Sequence, residues 1–345
     1  MAKTTELLSR IIKGRARVTL LNGPTPVQRL KNVEQAFRQE LGSSRLFVKR
    51  DDHMALGGGG NKLRKLEFLL GDARAANADI IITTGGSQSN HARLTAAACA
   101  HLGLQCELLL KLAVVRDNDE HRYGGNVLLD RLFGATVTRI GQGEDAGAAM
   151  QARADALRAQ GRRPYIIPAG GSNECGALGY AAAVLELIGQ QTQHDFQMAR
   201  IFLPNGGSGT HAGLAAGLVA LGLPSRLVQS FAVIGDEATV QRATANKTQA
   251  ALQAMSIDKT IAYEDIVVDG SYRGAAYGAP TASMAEAVNL LARREGLLLD
   301  PVYSGKAFAG MLAQIRSRRL HDAGDIMFLM TGGSHTLFGY RDVLA

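Results

Sequence analysis

"ADIIITTGGSQSNHARLTAAACAHLGLQCELLLKL", residues Ala78 to Leu112, is the stretch that decides the fold class. Its first part is a short apolar run that closes in a glycine turn, which reads as a buried strand. The part from Ser89 to Gly103 has helical character and ends in glycine. "QCELLLKL" is then the next strand. This β-loop-α-β rhythm belongs to a parallel sheet. It recurs in "ATVTRIG" (135–141), "RPYIIPAGG" (163–171), "RIFLPNGGSG" (200–209), "LVQSFAVIGDE" (227–237) and "DIMFLMTGGS" (325–334). Ligands of such sheets bind beyond the carboxyl ends of the strands. Five glycine-rich corners therefore matter: Gly57–Lys62, Gly85–Asn90, Gly170–Asn173, Asn205–Thr210 and Thr331–Ser334.

Bulk properties narrow the function classes. The chain has 345 residues, 46% hydrophobic and 20% charged, enough for two α/β domains with ample core. Forty glycines against eight prolines suit tight βα turns rather than a linker. No apolar run approaches the roughly 20 residues that span a bilayer. The basic N-terminus lacks a continuous apolar core, so a docked helix is expected there rather than a signal peptide. Cys99, Cys106 and Cys175 make an odd count without a CxxC pair, which predicts no disulfide framework, no zinc site and a reducing cytoplasm. The net charge of +7 is spread along the chain. Only Arg316–His321 is dense, and no aromatic residues interleave with it, so nucleic acid is not an expected partner. An anionic small molecule accounts for the basic balance more simply.

The corners carry the chemistry. Gly57–Glu67, "GGGGNKLRKLE", places Lys62 between a glycine run and an apolar helix face formed by Leu63, Leu66, Leu69, Leu70 and Ala73. A Walker A loop needs a hydroxyl after its lysine, and Leu63 stands there. Lys62 at a helix start, with Lys65 beside it, is expected to have a lowered pKa and to be nucleophilic. Such a lysine can form an imine with a carbonyl cofactor. The second corner offers Ser87, Ser89 and Asn90, more polar groups than one helix cap requires. The third, Gly206 to Thr210, presents backbone N–H groups at a helix start, suited to phosphate. Its Gly207–Ala212 stretch also fits G-x-G-x-x-[GA], with Asp236 downstream, so a nicotinamide-dependent oxidoreductase is the rival reading. That rival leaves the Lys62 corner unexplained. Pyridoxal phosphate uses a nucleophilic lysine, a phosphate loop and a polar turn together. The eight histidines show no metal-ligand spacing. His91 and His211 follow polar corners, and packing is the simpler role for each.

Several motifs occur in the order of a known family. They are "KRDD" (49–52), "GGNKLRKLEFL" (59–69), "QSNHAR" (88–93), "GGSNECGALGY" (170–180), "GSGTHAGL" (207–214), "LLDPVYSGKA" (298–307) and "TGG" (331–333). Together they resemble the D-cysteine desulfhydrase and 1-aminocyclopropane-1-carboxylate deaminase family. The resemblance implies a fold-type II pyridoxal-phosphate enzyme of the tryptophan synthase β type. Two open parallel-sheet domains would hold the cofactor between them, the large one formed by 1–64 and 177–345 and the small one by 65–176. A homodimer is expected. By motif match Lys62 would be the imine lysine, Ser89 would hold the substrate carboxylate and Asn90 would approach the ring oxygen. Gly207, Ser208, Gly209 and Thr210 would take the phosphate, and Tyr303 with Tyr277 would flank the substrate.

One departure bears on the reaction. Cyclopropane-opening members carry a glutamate after the tyrosine, beside the pyridine nitrogen, and this chain has Ser304. A hydroxyl from Ser304 or Thr331 makes the ring a weaker electron sink than a carboxylate does. That suits loss of a good β-leaving group, so β-elimination from D-cysteine to pyruvate, hydrogen sulfide and ammonia is expected. L-Cysteate sulfo-lyase and then the cyclopropane deaminase are the alternatives. Gly86, Ser87 and Asn205 are smaller departures that could mark a different side chain.

Overall fold

The computed structural model describes residues 2–112, 116, 118–141 and 143–344. The described residues build two sheets. The first has six strands in the order β1-β2-β10-β7-β8-β9. These are β1 (Val27–Arg29), β2 (Arg45–Arg50), β7 (Met198–Asn205), β8 (Val228–Ala232), β9 (Val267–Asp269) and β10 (Asp325–Met330). The second has four, β5-β4-β3-β6, formed by β3 (Ile80–Gly86), β4 (Gln105–Lys111), β5 (Thr136–Ile140) and β6 (Pro164–Ile167). Every pairing is parallel except β1 on β2, a three-residue antiparallel edge.

The interior strands follow from their sequences. In β3 the five residues Ile80 to Thr84 are all buried, and in β10 all six, because helices cover both faces. The chain leaves the first sheet after β2, builds the second, and returns at β7. All four strands of the second sheet lie within 65–176. The boundaries expected at 64/65 and 176/177 fall inside helices Lys62–Ala75 and Glu174–Gln193 rather than in loops. These two helices pack on one another. A Cβ at Gly179 would lie 2.1 Å from the Arg64 carbonyl oxygen, so only glycine lets the two backbones meet this closely. The N-terminal helix Ala2–Lys13 buries Leu8 and Ile12 in the core of the six-stranded sheet.

Strand order places the corners. In the second sheet the chain runs outward from β3 through β4 to β5, then returns to the other side of β3 as β6. In the first it runs outward from β7 through β8 to β9, then returns to the other side of β7 as β10. Each reversal opens a crevice at the carboxyl ends, between β3 and β6 and between β7 and β10. The loops after those four strands are four of the five glycine-rich corners.

Candidate active site

A cavity of about 430 Å³ lies where these loops converge. Lys62, Ser89, Asn90, Gly207, Ser208, Gly209, Thr210, Tyr277, Tyr303 and Thr331 all line it. Ser304 does not. Its Oγ donates to Asp300 Oδ2 at 2.6 Å and is turned away, with the residue 1% exposed.

The four glycines before Lys62 have φ values of 60°, 77°, 75° and 135°, all in a region that side chains resist. The run lets the chain turn into the lysine helix at the end of the connection from β2. Asn61 anchors the turn: its N–H donates to the Thr331 carbonyl at 3.0 Å and its Nδ2 to Thr210 Oγ1 at 3.1 Å. Lys62 is thereby held between the loops after β7 and β10. Its pKa is lowered to about 8, chiefly by burial, and the buried Asp300 carboxylate opposes the shift. Burial therefore does what the sequence reading ascribed to the helix start and to Lys65.

Lys65 faces a different wall. It is 1% exposed, and its Nζ donates to the Gly170 carbonyl at 3.2 Å and Ser172 Oγ at 3.1 Å, both neutral. Burial pushes its pKa well below the usual lysine range, and Lys62 and Lys247 push the same way. Lys247 Nζ donates to the Gly207 carbonyl at 2.9 Å. Three lysines thus converge on the loop after β7, a configuration that an anion would relieve.

The loop itself is shaped for one. Ser208 has φ 68° and opens helix Gly209–Leu221, so a helix N-terminus, where an anion is favoured, stands at the cavity wall; the Gly209 N–H itself donates to the Gly207 carbonyl at 2.9 Å. A Cβ at Gly207 would lie 2.9 Å from Ser172 Oγ, and one at Gly209 2.8 Å from Lys65 Nζ. The glycines keep that space clear. Asn205 fixes the loop from beneath, accepting from Ser208 N–H at 3.0 Å and donating to Ser230 and Thr244 hydroxyls at 3.0 and 3.1 Å. It is a brace for the loop and does not point to a particular substrate.

The remaining walls mix apolar surface from Ala169, Pro204 and Ile234 with a few polar groups. Ser89 caps helix Asn90–Leu102, its Oγ accepting from Ala92 N–H at 3.1 Å, which leaves its own proton free. Gly86 is in the cavity wall, and Ser87 Oγ donates to the Lys111 carbonyl at 3.2 Å. Tyr277 and Tyr303 hydroxyls stand 2.6 Å apart, joined by one hydrogen bond. Burial pushes Tyr277 up to about 12 and Tyr303 well above the usual phenol range, so both are protonated at neutral pH. Asp300 accepts from Val302, Tyr303 and Ser304 N–H groups as well as from Ser304 Oγ, and caps the helix that begins at Ser304. His91 also lines the cavity. Thr83 Oγ1 donates to the Ile167 carbonyl, so His91 Nε2, 2.9 Å away, is the donor between the two. Burial keeps this ring neutral. His211 is a packing residue, bonded to Ser230 Oγ at 2.8 Å.

Sequence reasoning missed Asp300, Lys247 and the place of Lys65 in the cavity wall. The first lies inside a quoted motif. Lys247 sits in an ordinary polar helix and carries no local signal. Among the described residues no group of three acidic, histidine or cysteine side chains could hold a metal ion.

A half-buried amine of depressed pKa, beside a cationic glycine cradle and between two parallel sheets, defines a site for a phosphate-bearing carbonyl cofactor. The profile of the family described as "pyridoxal-phosphate dependent enzyme" matches residues 18–332. The chain belongs to that family, and its cofactor is pyridoxal phosphate. It is 41% identical to D-cysteine desulfhydrase of Klebsiella pneumoniae over 329 residues, covering 94% of this chain and 96% of the relative. The crystal structure of a homologue of 1-aminocyclopropane-1-carboxylate (ACC) deaminase superposes with a TM-score of 0.84 at 32% identity, covering 98% of each chain. A fungal L-serine ammonia-lyase from Rhizomucor miehei shares the fold, with a TM-score of 0.64 at 20% identity over 93% of this chain and 97% of the other. The nicotinamide reading falls with these matches, since the glycine motif it rested on belongs to the loop after β7.

Proposed function

We propose that this chain catalyses β-elimination from D-cysteine, consuming water and releasing pyruvate, hydrogen sulfide and ammonia. The observation that carries the reading is one cavity lined by both a base, Lys62, and an acid pair, Tyr277 and Tyr303. The relative that is 41% identical bears the name of this activity. Residues 1–64 and 177–345 form the large domain in this reading and 65–176 the small one. The enzyme works in the cytoplasm as a homodimer.

Bound cofactor supplies an electron sink for negative charge at the substrate's Cα. Gly207, Ser208, Gly209, Thr210 and Lys65 would hold its phosphate, Asn90 would meet its ring oxygen, and Thr331 would lie beside its pyridine nitrogen. Ser89 donates its free proton to the substrate carboxylate at the start of helix Asn90–Leu102, where the dipole favours an anion. Lys62 Nζ would take the Cα proton as general base; a pKa of about 8 fits it for that task at neutral to mildly alkaline pH. The tyrosine pair holds two protons and uses only one between its oxygens, so the other is available to the departing sulfur. No carboxylate follows Tyr303, and Ser304 is committed to Asp300. The sink is therefore modest, sufficient for a thiolate leaving group and poor for opening a cyclopropane.

The test is 2-oxo acid release from D-cysteine, L-cysteine, L-cysteate and 1-aminocyclopropane-1-carboxylate in parallel, with and without borohydride pretreatment. Pyruvate with sulfide from D-cysteine, abolished by borohydride, is expected. Pyruvate with sulfite from L-cysteate alone would keep the elimination and change the substrate. 2-Oxobutyrate from the cyclopropane would overturn the argument from Ser304.

A further inference from the structure

Behind the cavity wall lies a buried polar relay that the reaction does not touch directly. Asn126, in helix Gly125–Leu132, is fully buried. Its Oδ1 accepts from Arg93 Nε at 3.1 Å. Its Nδ2 donates to the Gln88 carbonyl at 2.9 Å and to Asn90 Oδ1 at 2.8 Å, and its backbone N–H donates to Gln88 Oε1 at 2.9 Å. Arg93 can only donate and a backbone carbonyl can only accept, so the Asn126 amide has a single permitted orientation. That orientation dictates the next one. Asn90 must turn its oxygen toward Asn126 and its NH₂ away from it.

A second observation agrees. A Cβ at Gly333 would come within 2.4 Å of Asn90 Nδ2, so the loop after β10 is glycine where the amide needs room. Among the described residues no protein acceptor takes that NH₂, and Asn90 lines the cavity. Arg93 extends the relay to the other side of the site. Its Nη1 donates to the carbonyls of Gly57 and Gly59, the latter at 3.0 Å, within the loop that precedes Lys62. Burial lowers its pKa to about 10 and Asp130 opposes the shift, so the guanidinium is charged at neutral pH and its donors are permanent.

We infer that Asn126 is a positioning residue: it locks the Asn90 amide so that a donor, never an acceptor, faces the cofactor's ring oxygen. Arg93 sets Asn126 and ties it to the lysine loop. The inference rests on the proposed placement of Asn90 against that oxygen. A donor there favours the bare ring oxygen with the proton on nitrogen. A carbonyl there would force the ring oxygen to keep its proton.

The test is Asn126→Asp in the holoenzyme. The new carboxylate cannot donate to Asn90, whose amide is then expected to turn over. The long-wavelength absorption band of bound cofactor should give way to the near-ultraviolet band of the ring-oxygen-protonated form. The cofactor's dissociation constant should rise roughly tenfold, the effect of one lost hydrogen bond. Asn126→Ala removes the donor without adding charge, and serves where the first variant does not fold. In an Asn90→Ala background neither change should alter the spectrum further. An unchanged spectrum and affinity in both single variants would overturn the inference, as would the same spectral shift in the Asn90→Ala background. If the wild-type protein has no cofactor band that borohydride bleaches, the placement of the cofactor fails and the inference with it.

Discussion

Helix Lys62–Ala75 begins with three cations whose surroundings are opposite. Arg64 Nε and Nη2 meet both oxygens of Asp51 at 2.9 Å, its Nη1 and Nη2 reach both oxygens of Glu186 at 2.8 and 2.9 Å, and Thr25 Oγ1 accepts as well. Lys49 joins through Glu186, and Tyr180 donates to Asp51 at 2.6 Å. Burial opposes the charge on Arg64, but the two carboxylates outweigh it and hold its pKa well above the usual value. One residue further on, Lys65 is as deeply buried and has only neutral acceptors. A buried charge with complete partners is architecture. A buried charge left among like charges is a site for something the protein itself does not supply.

Removing Lys62 should have the largest effect. Lys62→Ala is expected to lower turnover by about 10³-fold or more, within the range for a lost general base, and to abolish covalent retention of the cofactor after borohydride. Mass spectrometry of the reduced protein reads the second outcome. Arg64→Ala tests the other half of the comparison. It strands Asp51 and Glu186 in the interior and should cost about 3–5 kcal/mol in urea unfolding, with activity per folded molecule largely kept. Lys65→Met should do the reverse. Removal of a buried amine that has no anionic partner should raise the stability of the cofactor-free protein, while cofactor affinity falls roughly 10- to 100-fold, as for a lost charged hydrogen bond. A Lys65 variant that destabilises the cofactor-free protein as Arg64→Ala does would erase the distinction.

The comparison also explains what the sequence made legible. Long apolar strands such as β3, β4, β7 and β10 are visible because helices cover both faces. Helix caps and glycine corners are visible because their chemistry is local. The three-residue strands β1 and β9 are too short for any period to emerge, and β2 hides because Lys49 and Arg50 interrupt its apolar run. Lys49 is 1% exposed, and its partners Glu186 and Gln190 lie more than 130 residues away. Likewise, the surroundings of Lys65 depend on Gly170 and Ser172 from the loop after β6 and on Lys247 from a distant helix. Residues that act through their own corner could be named in advance; those that act through the meeting of two sheets could not.

A smaller effect follows from the Lys62 pKa. The value lies near 8 instead of 10.5, so the neutral amine prevails above pH 8 and the cation below it. At pH 7 about one-tenth is neutral. The rate at which cofactor-free protein takes up pyridoxal phosphate should therefore rise about tenfold from pH 7 to above 8 and then flatten. Stopped-flow absorbance reads it. A rate still climbing past pH 9.5 would mean an ordinary lysine.

Ser304 should matter least, and the reason is geometric. The sequence offered it as a neighbour of the pyridine nitrogen, yet its hydroxyl is bound to Asp300 and the residue does not line the cavity. Ser304→Ala removes one of four hydrogen bonds to that carboxylate and the acceptor of the Asp300 N–H at 2.8 Å, and leaves the three backbone donors to the carboxylate in place. A cost of about 1 kcal/mol in stability is expected, with kcat changed only a few-fold. Thr331 does line the cavity, and Thr331→Val should lower kcat more than Ser304→Ala does. If the order were reversed, Ser304 would have to leave Asp300 and enter the cavity when cofactor binds, and the locked Asp300 cap would no longer describe the working enzyme.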